Sequence, residues 1–139
     1  MRVTASAVSL NVDDVEASAS FLTQHFGFKE AMSADGFVSL ARPDVGFNVC
    51  YLRTGLKSLK PESLKTRRAE GLIVAFVVDD IDAEYARIQE EGVKVLTPIE
   101  TEPWGERYFQ VADANGVIIQ LVQWMHAPDA AAGHGGGAA

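Results

Sequence analysis

Short alternating runs and longer helical stripes follow one another along the chain in a set order, and that order occurs twice. Val8, Leu10 and Val12 alternate with Ala7, Ser9 and Asn11, the period of a strand that buries one face. Asp13 and Asp14 then offer side-chain oxygens to the free N–H groups of a helix start, with Glu16 favourably placed in the first turn. Val15, Ala19, Leu22 and Phe26 recur at helical spacing, and Gly27 supplies the left-handed conformation that ends a helix. Three short strands follow, Phe28 to Met32, Phe37 to Ala41 and Phe47 to Leu52, separated by Ala34-Asp35-Gly36 and Pro43-Asp44-Val45-Gly46.

The second pass begins around Val74 to Val78, apolar on both faces, and starts its helix at Asp79 or Asp80. Ile81, Tyr85 and Ile88 form the stripe and Gly92 the stop. Strands are expected at Val93 to Thr97, Arg107 to Ala112 and Val117 to Trp124, broken by Pro103-Trp104-Gly105 and Asp113-Ala114-Asn115-Gly116. The repeat is visible in the residues themselves, because Leu10-Asn11-Val12-Asp13-Asp14-Val15-Glu16-Ala17 returns as Phe76-Val77-Val78-Asp79-Asp80-Ile81-Asp82-Ala83. The pattern predicts an α+β domain of two βαβββ modules, residues 3–54 and 71–126, joined by a linker at 55–70. Residues 127–139 read as an Ala/Gly tail too poor in apolar bulk to fold.

Composition narrows the partners. The net charge of −7 argues against nucleic acid, whose phosphates call for a basic surface, and favours a neutral or cationic ligand. The positive charge gathers in one segment, where Arg53, Lys57, Lys60, Lys65, Arg67 and Arg68 face only Glu62 and Glu70; it reads as a solvated linker or as a mobile arm beside a pocket or a partner subunit. No run approaches the roughly 18 apolar residues of a membrane span, and Met1 to Ser9 lack the layout of a signal peptide, so the expected location is the cytoplasm. Cys50 is the only cysteine, which leaves no intrachain disulfide and no multi-cysteine metal site, and its apolar strand favours a core role.

Pro103-Trp104-Gly105-Glu106-Arg107 and Asp113-Ala114-Asn115-Gly116-Val117-Ile118-Ile119-Gln120-Leu121, taken with the repeated strand and its Asp-Asp helix start, resemble the vicinal-oxygen-chelate superfamily of glyoxalases, extradiol dioxygenases and bleomycin-resistance proteins. The resemblance covers about residues 3 to 125. It implies that each module curls its mixed sheet into a cup, with a divalent metal between the cups in the catalytic branches. The ligands of those branches are a histidine early in the first strand of a half and a glutamate in the last strand. Carried over, these positions fall on Ala7 and Ile73, and on Cys50 and Gln120. A divalent site needs three or more donors, and only Gln120 offers one, a weak neutral oxygen. His25 on a helix, His126 after the last strand and His134 in the tail stand at none of the ligand positions. His25, four residues after Phe21, has the spacing of a helix-surface or packing role, and the Asp pairs that of helix caps rather than acid/base dyads. No nucleophile elbow, phosphate loop or dinucleotide fingerprint occurs, so neither a catalytic residue nor a metal or other cofactor is expected.

Strand parity then fills the cups. Ala5, Ser9 and Asn11, Asn48 and Leu52, Ala75 and Val77, and Ile118 and Val122 share faces with the four vacant positions, a mostly apolar surface with sparse amides and hydroxyls. Phe37, Phe47, Tyr108 and Trp104 add flat rings near the loops. The candidate ligand-binding set is therefore Ser9, Phe37, Phe47, Asn48, Cys50, Trp104, Tyr108 and Gln120. The drug-binding branch that the chain resembles sequesters a hydrophobic or aromatic antibiotic in a homodimer groove, which implies self-resistance against a bleomycin-like glycopeptide, a mitomycin or an anthraquinone-fused enediyne. Two alternatives stand beside it: a lyase, isomerase or dioxygenase with atypical groups, and an accessory protein that binds a metabolite without conferring resistance. Homodimerisation is expected in its own right, because a half-sheet cup leaves an apolar face uncovered.

Overall fold

The computed structural model describes residues 1–126; the tail at 127–139, with His134, lies outside the described residues. The elements run β1 (Ala7–Val12), α1 (Val15–Phe26), β2 (Lys29–Ala34), β3 (Phe37–Ala41), β4 (Asn48–Arg53), β5 (Ile73–Val77), α2 (Ile81–Glu90), β6 (Val95–Thr101), β7 (Glu106–Ala112) and β8 (Ile118–Trp124). The βαβββ pattern is thus present twice, as an α+β fold. Each module makes a four-stranded mixed sheet, in the orders β1-β4-β3-β2 and β5-β8-β7-β6, with its first and last strands paired in parallel and the rest antiparallel. Among the described residues no helix is long and apolar enough to cross a membrane.

The helix signals act as their chemistry dictates. Asp14 Oδ1 accepts from Ala17 N and Asp80 Oδ1 from Ala83 N, each at 3.1 Å, so one aspartate of each pair is an N-cap. Gly27 closes α1 at φ 69°, and its missing side chain admits Arg42, whose Nη1 donates to the last helical carbonyl, Phe26 O, at 2.6 Å. Strand β6 is longer than the pattern predicts and passes through Pro98. An edge strand tolerates this, and β6 is also bulged between Thr97 and Glu100.

The chain forms two compact units. Unit 1 comprises Met1–Gly71 together with the short segment Asp113–Val117; unit 2 comprises Leu72–Ala112 and, among the described residues, those from Ile118 to His126. In unit 1, α1 packs on β3 and β4, and the core includes Leu10, Leu22, Phe26, Leu40, Val49 and Tyr51. Burying each such apolar side chain stabilises the fold by roughly 1.5–3 kcal/mol. The apolar stripe expected on α1 is modified, because Ser18 is fully buried while Val15 and Ala19 are only half-buried. A serine is tolerated there because Asp113 Oδ2 accepts its hydroxyl at 2.6 Å. Asp113 Oδ1 also accepts from Asn115 N (2.9 Å) and Val117 N (3.0 Å), and Asn115 Nδ2 donates to Ser18 Oγ (2.8 Å) and Asp14 O (2.7 Å). Burial and the Asp113 charge push the Tyr51 hydroxyl of the same core up from its ordinary value.

The basic segment is largely exposed, as a solvated linker would be, but it is also tied to unit 1. Asn11 Nδ2 donates to Leu64 O (3.0 Å) and Arg67 O (3.1 Å), Ala69 N donates to Asn11 O (2.8 Å), and Arg68 pairs with Asp13 at 2.7 Å. Leu59 is buried beneath it. The segment is strapped along the free edge of β1, and Asn11, expected to line a cup, is occupied in holding it. The Thr54 hydroxyl and then the Arg68 guanidinium, both hydrogen-bonded to Asp13, hold that carboxyl below its usual range.

In unit 2, α2 packs on β7 and β8. Ile81 and Ile88 are fully buried, the Tyr85 ring meets Phe109 edge-on at 4.9 Å, and Arg107 is drawn to the helix side by Asp82 at 2.8 Å. His25, back in unit 1, has the packing role its spacing predicts, with its ring 5.4 Å from Phe21.

Candidate functional site

Each sheet turns one face to its helix and the other away from it, and the strand register decides which side chains line the open face. In unit 1, Ala7 pairs with Asn48, Ser9 with Cys50 and Asn11 with Leu52; Cys50 and Leu52 in turn face Ser39 and Phe37 of β3. The structure therefore brings Ser9, Asn48, Cys50 and Phe37 onto one surface. Asn48 Nδ2 donates to Ser39 Oγ at 3.4 Å, and Cys50 and Ser39 are buried at its centre. Phe47 stands one residue before β4, outside the register that aligns the others.

In unit 2 the open face carries Ile73, Ala75 and Val77 of β5 opposite Ile118, Gln120 and Val122 of β8. Tyr108 and Gln110 of β7 follow opposite Val122 and Gln120, and Glu106 lies opposite Trp124. Ile73 and Val77 are more than half exposed. Across this apolar surface runs a connected row of polar groups. Thr97 Oγ1 donates to Gln110 Oε1 (3.1 Å), Gln110 Nε2 to Gln120 Oε1 (2.8 Å), Gln120 Nε2 to Glu106 Oε2 (3.3 Å), and Trp104 Nε1 to Glu106 Oε1 (3.0 Å). Beside the row, the Tyr108 hydroxyl donates to Glu102 Oε2 at 2.8 Å, with Glu100 Oε1 a second, longer neighbour at 3.3 Å. The Glu102 hydrogen bond, followed by burial and the neighbouring charges, pushes Tyr108 up to about 12. Trp104 stands on a tight turn closed by Gly105 N to Glu102 O at 2.9 Å, with 57% of its surface exposed. Gly105 takes φ 92° there, a backbone conformation that favours glycine, and the exposed His126 ring lies against it.

Sequence reasoning reached Trp104, Tyr108 and Gln120 but missed Ser39, Glu106, Gln110, Thr97 and Trp124. Glu106, Gln110 and Trp124 were accessible by counting in twos from Tyr108 and Gln120. Ser39 and Thr97 depend on register across hairpins, and the bulges of β6 remove any simple count.

The donor set does not fit the divalent metal of the catalytic branches. Ala7 and Ile73 have no donor atom, Cys50 lies between two serine positions, and the Gln120 oxygen already accepts from Gln110. Among the described residues no group of three or more His, Cys, Asp or Glu side chains is placed to hold a metal ion. A separate cavity of about 630 Å³ in unit 1 lies between the start of α1 and the β2–β3 hairpin, lined by Val15, Ala19 and Phe37 among several carboxylates. Two of those carboxylates are already paired, Asp13 with Arg68 and Asp35 with Arg53. This lining is more polar than an aromatic guest favours.

Residues 4–121 match the family model described as Glyoxalase/Bleomycin resistance protein/Dioxygenase superfamily. An uncharacterised protein of Mycobacterium bovis is 30% identical over 121 residues, which cover 77% of this chain and 74% of that protein. Among solved structures, a glyoxalase/bleomycin resistance protein/dioxygenase from Nocardioides superposes with a TM-score of 0.72 at 21% identity, covering 98% of this chain and 91% of that one. TnmS3, an antibiotic binding protein from Streptomyces sp. CB03234, superposes with a TM-score of 0.68 at 26% identity, covering 88% of this chain and 98% of that one.

Proposed function

Because this chain belongs to the glyoxalase/bleomycin resistance protein/dioxygenase superfamily, we propose that it works as that fold without its metal, sequestering a planar aromatic natural product and so conferring resistance by binding alone. The observation that carries this reading is the chemistry of the open faces. At the positions where the catalytic branches place imidazole and carboxylate stand Ala7, Ile73, Cys50 and an already engaged Gln120. What is left is apolar area with a few ordered polar groups, the character of an organic-ligand site. The likeness to an antibiotic binding protein at 26% identity supports it further.

In this reading the residues offered to a ligand are Ser9, Phe37, Phe47, Asn48 and Cys50 in unit 1 and Trp104, Tyr108 and Gln120 in unit 2, each unit taken by itself, and the protein is a cytoplasmic homodimer. Bleomycin-like glycopeptides, mitomycins and anthraquinone-fused enediynes are the candidate guests. Expression in a drug-sensitive bacterial host tests the proposal: growth is expected at an otherwise inhibitory concentration of at least one of the three classes. Protection should rise with the amount of protein, since a stoichiometric binder saturates. Equal sensitivity of expressing and empty cells to all three classes would contradict it. Dimerisation is tested by light scattering at micromolar concentration, where about twice the 15.0 kDa chain mass is expected and a clean monomer opposes a shared groove.

A further inference from the structure

Both oxygens of one carboxylate on the open face of unit 2 are committed, and to different partners: Glu106 Oε1 to the Trp104 indole and Oε2 to the Gln120 amide. An ionised carboxylate only accepts hydrogen bonds, so whatever faces it must donate. That constraint passes along the whole row. Gln120 must turn its NH2 to Glu106 and therefore its oxygen to Gln110. Gln110 must answer with its own NH2 and turn its oxygen to Thr97, whose hydroxyl supplies the last donor. The network, not either amide by itself, selects the orientation of both. The indole N–H is donor-only, and its bond to Glu106 selects one orientation for a ring that sits on a turn with more than half of its surface in solvent.

We propose that Glu106 is the positioning residue of the unit 2 site. It holds the Trp104 ring in one stacking orientation and sets the donor and acceptor polarity of the Gln120–Gln110 row that a ligand meets. The proposal rests on the drug-binding reading above and adds a ligand class to it. The open-face positions of β5 to β8 include no Lys or Arg, and Arg107 is turned to the helix side by Asp82. An aromatic carboxylate would therefore place its charge near Glu106 with no cation on that face to offset it, whereas a neutral or ammonium-bearing ring meets no such cost.

Two measurements on the full chain test this. In a 15N–1H correlation spectrum of the ligand-free protein, the indole N–H signal absent from Trp104→Phe belongs to Trp104. Glu106→Gln keeps the shape but leaves one accepting oxygen for two donors. The Trp104 signal is expected to shift and its exchange with solvent to quicken about tenfold, the equivalent of one lost hydrogen bond, while the exchange rate of the Trp124 indole N–H and the melting curve hold. An unmoved Trp104 signal would overturn the positioning role. Titration with 9-anthracenemethanol, 9-(aminomethyl)anthracene and 9-anthracenecarboxylate then reads polarity. The carboxylate should bind at least about tenfold more weakly than the other two, and Glu106→Gln should narrow that gap. Equal binding of all three, or tightest binding of the carboxylate, would overturn the ligand class while leaving aromatic sequestration intact. Binding of none would remove the sequestration reading itself, and the indole result still decides the role of Glu106.

Discussion

Asp113→Ala is expected to destabilise the protein by about 3–5 kcal/mol, the largest single-residue effect outside the hydrophobic core. The Asp113 carboxylate is buried and accepts from the Ser18 hydroxyl and from the backbone N–H groups of Asn115 and Val117. Removing it strands two buried donors, the Ser18 hydroxyl and the Val117 N–H, beside the half-buried Asn115 N–H, and each buried unpaired group costs about 1–3 kcal/mol. At roughly 3–4 °C per kcal/mol for a chain of this length, the melting temperature should fall by about 9–20 °C. Ser18→Ala removes one donor together with its need for a partner, and should cost about 1 kcal/mol. Urea unfolding monitored by circular dichroism separates the two variants. A loss below about 1 kcal/mol for Asp113→Ala would mean that the segment Asp113–Val117 is not an anchored part of unit 1.

Trp104→Ala should act in the opposite sense, harming binding far more than folding. With 57% of its surface exposed and its indole N–H held by Glu106, Trp104 contributes little buried area to the free protein. A stacked aromatic guest would cover that exposed ring. Truncation should then cost about 1–3 kcal/mol of binding, or roughly 5- to 150-fold in affinity, with stability changed by less than about 1 kcal/mol. Calorimetric titration of the variant beside a melting curve distinguishes the roles. Unchanged affinity with a sharply lowered melting temperature would assign Trp104 to structure.

Most of the architecture was legible because the local signals agreed with one another: the Asp14 and Asp80 caps, the Gly27 stop and the strand alternation of Val8, Leu10 and Val12 all reappear where their chemistry puts them. The failures share a physical cause, which is that they depend on partners distant in sequence. Ser18 is a polar interruption of an apolar stripe until Asp113, 95 residues away, accounts for it. The segment 55–70 reads as a charged linker until the Asn11 amide, more than fifty residues back along the chain, pins two of its carbonyls. Gln120 was visible as a lone amide at a vacant ligand position. Its place in a row ending at Glu106 required the pairing of β7 with β8 and β6, which local propensity does not encode.

Binding of a planar aromatic antibiotic without metal and without turnover, as proposed, is tested by calorimetric titration with one such compound before and after exhaustive chelation, the ligand being recovered afterwards and weighed by mass spectrometry. Saturable binding with the same affinity in both preparations, about 2.7 kcal/mol of added stability at 100 times the dissociation constant, and a ligand of unchanged mass are expected. Affinity that disappears on chelation and returns with a divalent ion, or a ligand recovered as a converted product, would contradict it.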